Sequence, residues 1–152
     1  LRYGDPFSKL ALFRPDAGRY ERIDEDRWSH LDMEIHEHPV LQGTVGTIRS
    51  PIDHDDRRGL ESYIDKHNEY SSWEAKRYLA LGPPGSPAWS ALAPRQRLKY
   101  RKVERWWFPL AYFLVSLIVK RGFLDGRAGF AFARFKARYF WNIRMKIRER
   151  RK

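Results

Sequence analysis

Between Arg105 and Lys120 the chain runs fourteen residues, Trp106 to Val119, without a charge, and that run limits what the rest can be. As a helix it is about 21 Å long at 1.5 Å per residue, short of the roughly 20 residues a bilayer crossing needs. Pro109 stands near its start, where a helix tolerates proline. Three placements remain: a helix in or re-entering a membrane interface, a helix buried in a protein core, or a true span. Trp106, Trp107 and Tyr112 suit the headgroup boundary, and the flanking cations suit anionic lipid. The interfacial placement is the favoured one.

Charge divides the chain along the same line. Residues 1–94 hold 12 Lys/Arg against 16 Asp/Glu, while residues 95–152 hold 18 against 3. An acidic front of about −4 is thus joined to a basic tail of about +15. The last segment, Phe130–Arg150, interleaves aromatics with Arg and Lys and has no Pro or Gly after 129, which predicts one long helix. Such a helix could stack on bases and neutralise phosphates, or lie on a membrane. The adjacent uncharged run favours the membrane, since nucleic-acid binding gives no reason for it.

The front half reads as short elements. Tyr3-Gly4-Asp5-Pro6 signals a turn, Lys9–Arg14 a short buried strand stopped by Pro15, and Gly18 another turn before Tyr20–Ile23. From Arg58 to Leu81 the residues Leu60, Tyr63, Ile64, His67, Tyr70, Ser71, Trp73 and Glu74 recur at three and four, an amphipathic helix, which Asp55 or Asp56 could cap. Pro83-Pro84-Gly85-Ser86-Pro87 ends it. The predicted organisation is therefore 1–81, a Pro/Gly linker at 82–94, and a basic helical region at 95–152. Zero Cys excludes a disulfide framework and agrees with a reducing compartment. The chain opens on Leu1 with no signal-peptide pattern, and an incomplete chain is the expectation.

The chemistry-bearing stretch is Leu31–Asp56, rich in carboxylates and histidines. Met33, Ile35 and Val40–Leu41 suggest one short strand, Val45, Ile48 and Ile52 a second, with turn signals at Gln42–Gly43, Gly46 and Ser50–Pro51. In a strand, Glu34, His36 and His38 share a face, and His54 follows the second strand. A carboxylate beside a histidine can serve as a base next to a metal or phosphate ligand. A solvated edge hairpin is the plainer reading. The zinc-peptidase His-Glu-x-x-His helix is absent, and nothing supports a closed zinc site.

In order, these pieces resemble the C-terminal half of bacterial family 2 glycosyltransferases, the subgroup that builds lipopolysaccharide core and related glycans. The resemblance rests on Tyr3-Gly4 followed by Leu12-Phe13-Arg14, on Ile35-His36-Glu37, on Pro51-Ile52-Asp53-His54, and on Tyr63-Ile64 with Asn68-Glu69-Tyr70-Ser71. Gly122-Phe123-Leu124-Asp125-Gly126 with Gly129-Phe130 completes it before the last helix. It covers most of the chain outside 82–104.

That resemblance implies an α/β fold, α+β over this length: the C-terminal part of a GT-A nucleotide-sugar transferase domain with short strands, followed by basic, aromatic, membrane-associating helices. It implies Glu37 as the base that deprotonates the acceptor hydroxyl, with inversion at the anomeric carbon. It implies His54 as a ligand of a divalent metal, Mg or Mn, whose Asp-x-Asp ligands are expected upstream of Leu1. Tyr3, Gly4 and His36 are the implied substrate contacts. The implied partners are a nucleotide-sugar donor, a glycan or lipid-linked glycan acceptor and an anionic membrane touched by Trp106, Trp107, Leu114, Ile118 and Phe123. Nucleic acid is not an expected partner. The implied place is cytoplasmic, peripheral on the inner face of the cytoplasmic membrane. Two other classes stay open: a non-catalytic basic module binding membrane or nucleic acid, and a metal-dependent hydrolase using His36, Glu37, His38 and His54.

Overall fold

A computed structural model describes residues 10, 12–20, 39–50 and 58–152. Among these the chain is mostly helical with one small two-stranded sheet, a mixed α and β composition. It divides into two compact units, Ser8–Lys66 and, among the described residues, His67–Lys152, with the division falling inside the first helix.

In the first unit, β1 (Gly18–Tyr20) pairs antiparallel with β2 (Pro39–Leu41), Arg19 opposite Val40. Pro15 fixes the turn that leads in, closed by Ala17 N–H to Arg14 O at 2.9 Å and by an exposed Arg14–Asp16 ion pair. Gly18 lets Leu41 fold close over the strand: a Cβ there would lie 2.2 Å from Leu41 Cδ2, the end of a flexible side chain that would have to move aside. Phe13 meets the Tyr20 ring edge-on at 5.7 Å.

This pairing corrects three expectations. Residues 12–14 form no strand, and Leu12 is exposed. Gly18 opens a strand and not a turn. The second predicted strand does not form at 44–49, where Val45 and Ile48 face solvent. Among the described residues nothing covers Val45 and Ile48, and β2 spends its ladder on β1 instead. Ile52 lies outside the described residues.

Helix α1 (Gly59–Ala80) matches the predicted amphipathic stretch. The Pro/Gly run beyond it contains α2 (Pro87–Ala91), which starts with proline in its first turn. Ser86 caps it, its Oγ accepting from Trp89 N–H and donating to Leu81 O. Trp89 is buried and donates its indole N–H to Gly82 O at 3.0 Å, so this segment packs into the core. Helix α3 (Pro94–Lys102) follows, its start held by Ala93 N–H to Gln96 Oε1.

The uncharged run folds as α4 (Phe108–Leu114) continued by a π-helical turn, Val115–Val119, marked by Lys120 N–H to Val115 O at 2.9 Å. A 3₁₀ turn, Gly122–Asp125, leads into α5 (Gly126–Arg150), the single long helix expected. Its start reaches further back than Phe130.

The core of this unit joins α1, α2, α3 and α5 through Ala75, Trp89, Leu92, Tyr100, Val103, Phe140, Ile143 and Ile147. Truncating a fully buried Ile143 or Ile147 to Ala costs on the order of 3 kcal/mol. Polar contacts fix the register. Buried Glu74 accepts from Lys99 Nζ at 2.6 Å and from the Tyr100 hydroxyl at 2.7 Å. Glu104 accepts a two-pronged pair from Arg151 at 2.6 and 2.7 Å and a hydrogen bond from the Tyr78 hydroxyl. Its backbone carbonyl accepts from Arg144 Nε at 3.0 Å.

Candidate functional site

Tyr3, Gly4, His36, Glu37 and His54 lie outside the described residues, as does the capping pair Asp55 and Asp56. Among the described residues no group of three or more His, Asp or Glu side chains is arranged to hold a metal ion. No step through a metal is derived from this geometry.

The surface the structure does describe is the outer face of the α4 segment. Aromatic contacts decide which side turns inward. Phe108 and Tyr112 meet Phe140 of α5 at 5.1 and 4.6 Å, and Phe113 meets Phe130 at 5.7 Å. With that side committed, the residues at fourfold spacing on the other side, Trp106, Leu110, Leu114 and Ile118, are left exposed. The π turn adds a residue, and Val115 and Val119 come out beside them. Trp106 is 70% and Val119 72% exposed, too much for a core helix. Trp107 is half-covered, edge-on to Phe108.

The turn after it is built tightly. Arg121 adopts left-handed backbone, φ 58°. Gly129 must be glycine, because a Cβ would fall 1.9 Å from Gly122 O. This close approach seats the start of α5 on the 3₁₀ turn and leaves Phe123 and Leu124 outward. Ser116 is buried within the π turn, and its Oγ has no hydrogen-bond partner among the described residues.

Cations border the apolar face. Arg105 precedes it; Lys120, Arg121 and Arg127 follow it, all exposed. Lys120 Nζ lies 5.9 Å from the centre of the Tyr112 ring. Along α5 the exposed residues Phe130, Arg134, Arg138, Trp141, Met145 and Arg148 recur at three and four, a second stripe that mixes apolar and cationic side chains.

All five residues expected at a membrane, Trp106, Trp107, Leu114, Ile118 and Phe123, are therefore at the surface. Sequence reasoning missed Leu110, Val115, Val119 and Leu124. Fourfold spacing from Trp106 would have found Leu110; the π turn that exposes Val119 leaves no signal in the residues. No helix among the described residues is long and apolar enough to cross a membrane. Comparison with protein-family models, with curated proteins and with solved structures finds no match.

Proposed function

We propose that this chain is the acceptor-side part of an inverting, family 2-like glycosyltransferase of GT-A fold, working at the inner face of the cytoplasmic membrane. Its reaction moves a sugar from a nucleotide-sugar donor to a lipopolysaccharide-core or related envelope glycan. The observation that carries the reading is the exposed, cation-bordered apolar face of the α4 segment, on the same chain as the Ile35-His36-Glu37 and Pro51-x-x-His54 patterns. A transferase with a lipid-linked acceptor needs its acceptor side held at the lipid surface.

In this reading Glu37 takes the proton of the acceptor hydroxyl as that oxygen bonds to the anomeric carbon. The bond to the nucleoside diphosphate breaks on the opposite side, so the configuration inverts. His54 and upstream carboxylates would hold a divalent cation, which neutralises the leaving diphosphate. Tyr3, Gly4 and His36 would contact the substrates.

The test is sugar transfer to a lipid-linked glycan acceptor by the chain joined to a nucleotide-binding half. Glu37→Gln should keep donor binding and lose about 10²–10⁴-fold in turnover, because an amide cannot accept the proton. Transfer within a few-fold of the parent removes Glu37 from the role. A second reading, a non-catalytic basic module, is favoured by the aromatic and cationic stripe along α5, which needs no enzyme to be useful. It predicts lipid or nucleic-acid binding with no transfer under any donor.

A further inference from the structure

The stretch from Trp106 to Leu124 exposes apolar side chains along its whole length, not at one end. Trp106 and Leu110 are as open as Ile118 and Phe123. Its cations stand at both ends, Arg105 before it and Lys120 with Arg121 after Val119. We infer that this segment docks flat in the plane of an anionic bilayer, its apolar face among the upper acyl chains and its terminal cations at headgroup level. The inference rests on the membrane part of the proposed function and adds the orientation of the segment.

Entry by the turn first would push Lys120, Arg121 and Arg127 toward hydrocarbon while leaving Leu110 and Trp106 in water. Both costs oppose it: charges belong at the interface, and uncovered apolar area stabilises nothing. Lying flat resolves both at once, with the apolar face toward the acyl chains and the cations at the interface.

Charge decides against a second copy of the chain as the covering surface. From Arg105 to Arg148 there are ten Lys or Arg and one carboxylate, Asp125. Two such faces brought together would set cations against cations, whereas lipid phosphates complement them. Nucleic acid would satisfy the cations but not the apolar face.

Because the chain has no cysteine, single cysteines at Leu110, Ile118, Phe123 and Ser90 can carry an environment-sensitive probe without background. The probed chains are titrated with phosphatidylcholine vesicles, with and without phosphatidylglycerol, at low and high salt. The expected result is binding only with phosphatidylglycerol, probes at 110, 118 and 123 at one shallow depth, and the Ser90 probe in water. A probe at 123 clearly deeper than at 110 overturns the flat orientation while leaving membrane association standing. Binding with every probe in water overturns apolar docking. No binding to either vesicle sinks the membrane reading itself, which sugar transfer to a soluble acceptor would then leave as a separate question.

Changing Leu110, Leu114 and Ile118 together to Ser should weaken the salt-resistant binding by roughly tenfold or more, with circular dichroism unchanged because all three are exposed. An unchanged affinity, complete release by salt with tight single-stranded DNA binding, or loss of a dimer in place of loss of lipid binding, each overturns the proposal.

Discussion

The Tyr100 hydroxyl donates to Glu74 at 2.7 Å, with both side chains buried between α3 and α1. Lys99, the residue before Tyr100, reaches the other oxygen of the same carboxylate. One carboxyl thus fastens two consecutive residues of α3 to the C-terminal half of α1.

Acid should loosen this fastening. Burial pushes the Glu74 carboxyl up, but Lys99, the hydrogen bonds from Lys99 and Tyr100, and Arg77 outweigh it and hold the group below its ordinary value. A lowered acid stabilises the fold above its unfolded-state value and loses that contribution as pH falls through the folded one. Stability should therefore fall as pH drops below about 4.5, and Glu74→Gln should flatten that part of the curve. Denaturant midpoints at pH 7 and pH 3 check it; parallel curves for parent and variant would refute the assignment. Glu74→Ala should cost on the order of 3 kcal/mol at pH 7, since Tyr100 loses its partner in the core.

Alkali should act through the tyrosines. Burial, then Glu74, pushes Tyr100 far up, and burial does the same to Tyr139. Both stay neutral when folded but ionise when unfolded, so stability holds below about pH 10 and declines above it, by up to about 1.4 kcal/mol per pH unit for each group. Lys146, whose value is lowered by burial, works in the opposite sense with a single group. Replacing Tyr139 with Phe should shift the alkaline unfolding midpoint upward in an absorbance titration. A midpoint that stays put would show that Tyr139 does not drive the transition.

Gly129→Ala should cost about 2–3 kcal/mol, because the new Cβ meets a backbone oxygen that cannot swing aside. Gly46→Ala is the control, with nothing within 4 Å and no left-handed backbone. Equal denaturation midpoints for the two variants would show that the turn before α5 gives way freely.

Lys146 ties α5 to α1 by donating to Asn68 O and Oδ1 at 2.7 Å and to Ser71 and Ser72 Oγ at 2.8 Å. Three N–H groups serve four acceptors, so one is shared. Lys146→Met should cost about 1–2 kcal/mol. Lys146→Arg should not restore it, since a planar fork cannot converge on that cluster. Full rescue by Arg, seen in thermal melts, would mean that charge alone matters.

The two long helices were legible because each carries its own signal. Leu60 to Glu74 keeps helical spacing, and nothing interrupts Phe130–Arg150. That spacing even set Glu74 on the inward side of α1, but not its partners: Lys99 and Tyr100 stand 25 and 26 residues away, and no local pattern links them. The sheet was misread for the same reason. Three-residue strands hold too little sequence to name a partner, and Gly18–Tyr20 pairs across about twenty residues. Of the candidate residues, Trp106, Trp107, Leu114, Ile118 and Phe123 do lie on an exposed apolar face, although the uncharged run by itself fitted a core helix as well as a surface one. The placement of Glu37 and His54 depends on residues outside those described.

Arg121 stands where glycine would fold more easily. Its left-handed backbone costs about 1–2 kcal/mol, partly offset by the roughly 0.4–1 kcal/mol that glycine would lose through extra freedom in the unfolded chain. Arg121→Gly should thus raise thermal stability slightly while removing a cation from the end of the exposed apolar face. On the proposed docking, heat resistance and lipid affinity pull this one position in opposite directions. A population of variants screened for heat alone should drift toward glycine at 121 and shed vesicle binding as a by-product, whereas a screen on vesicles should hold a cation there at the expense of the fold.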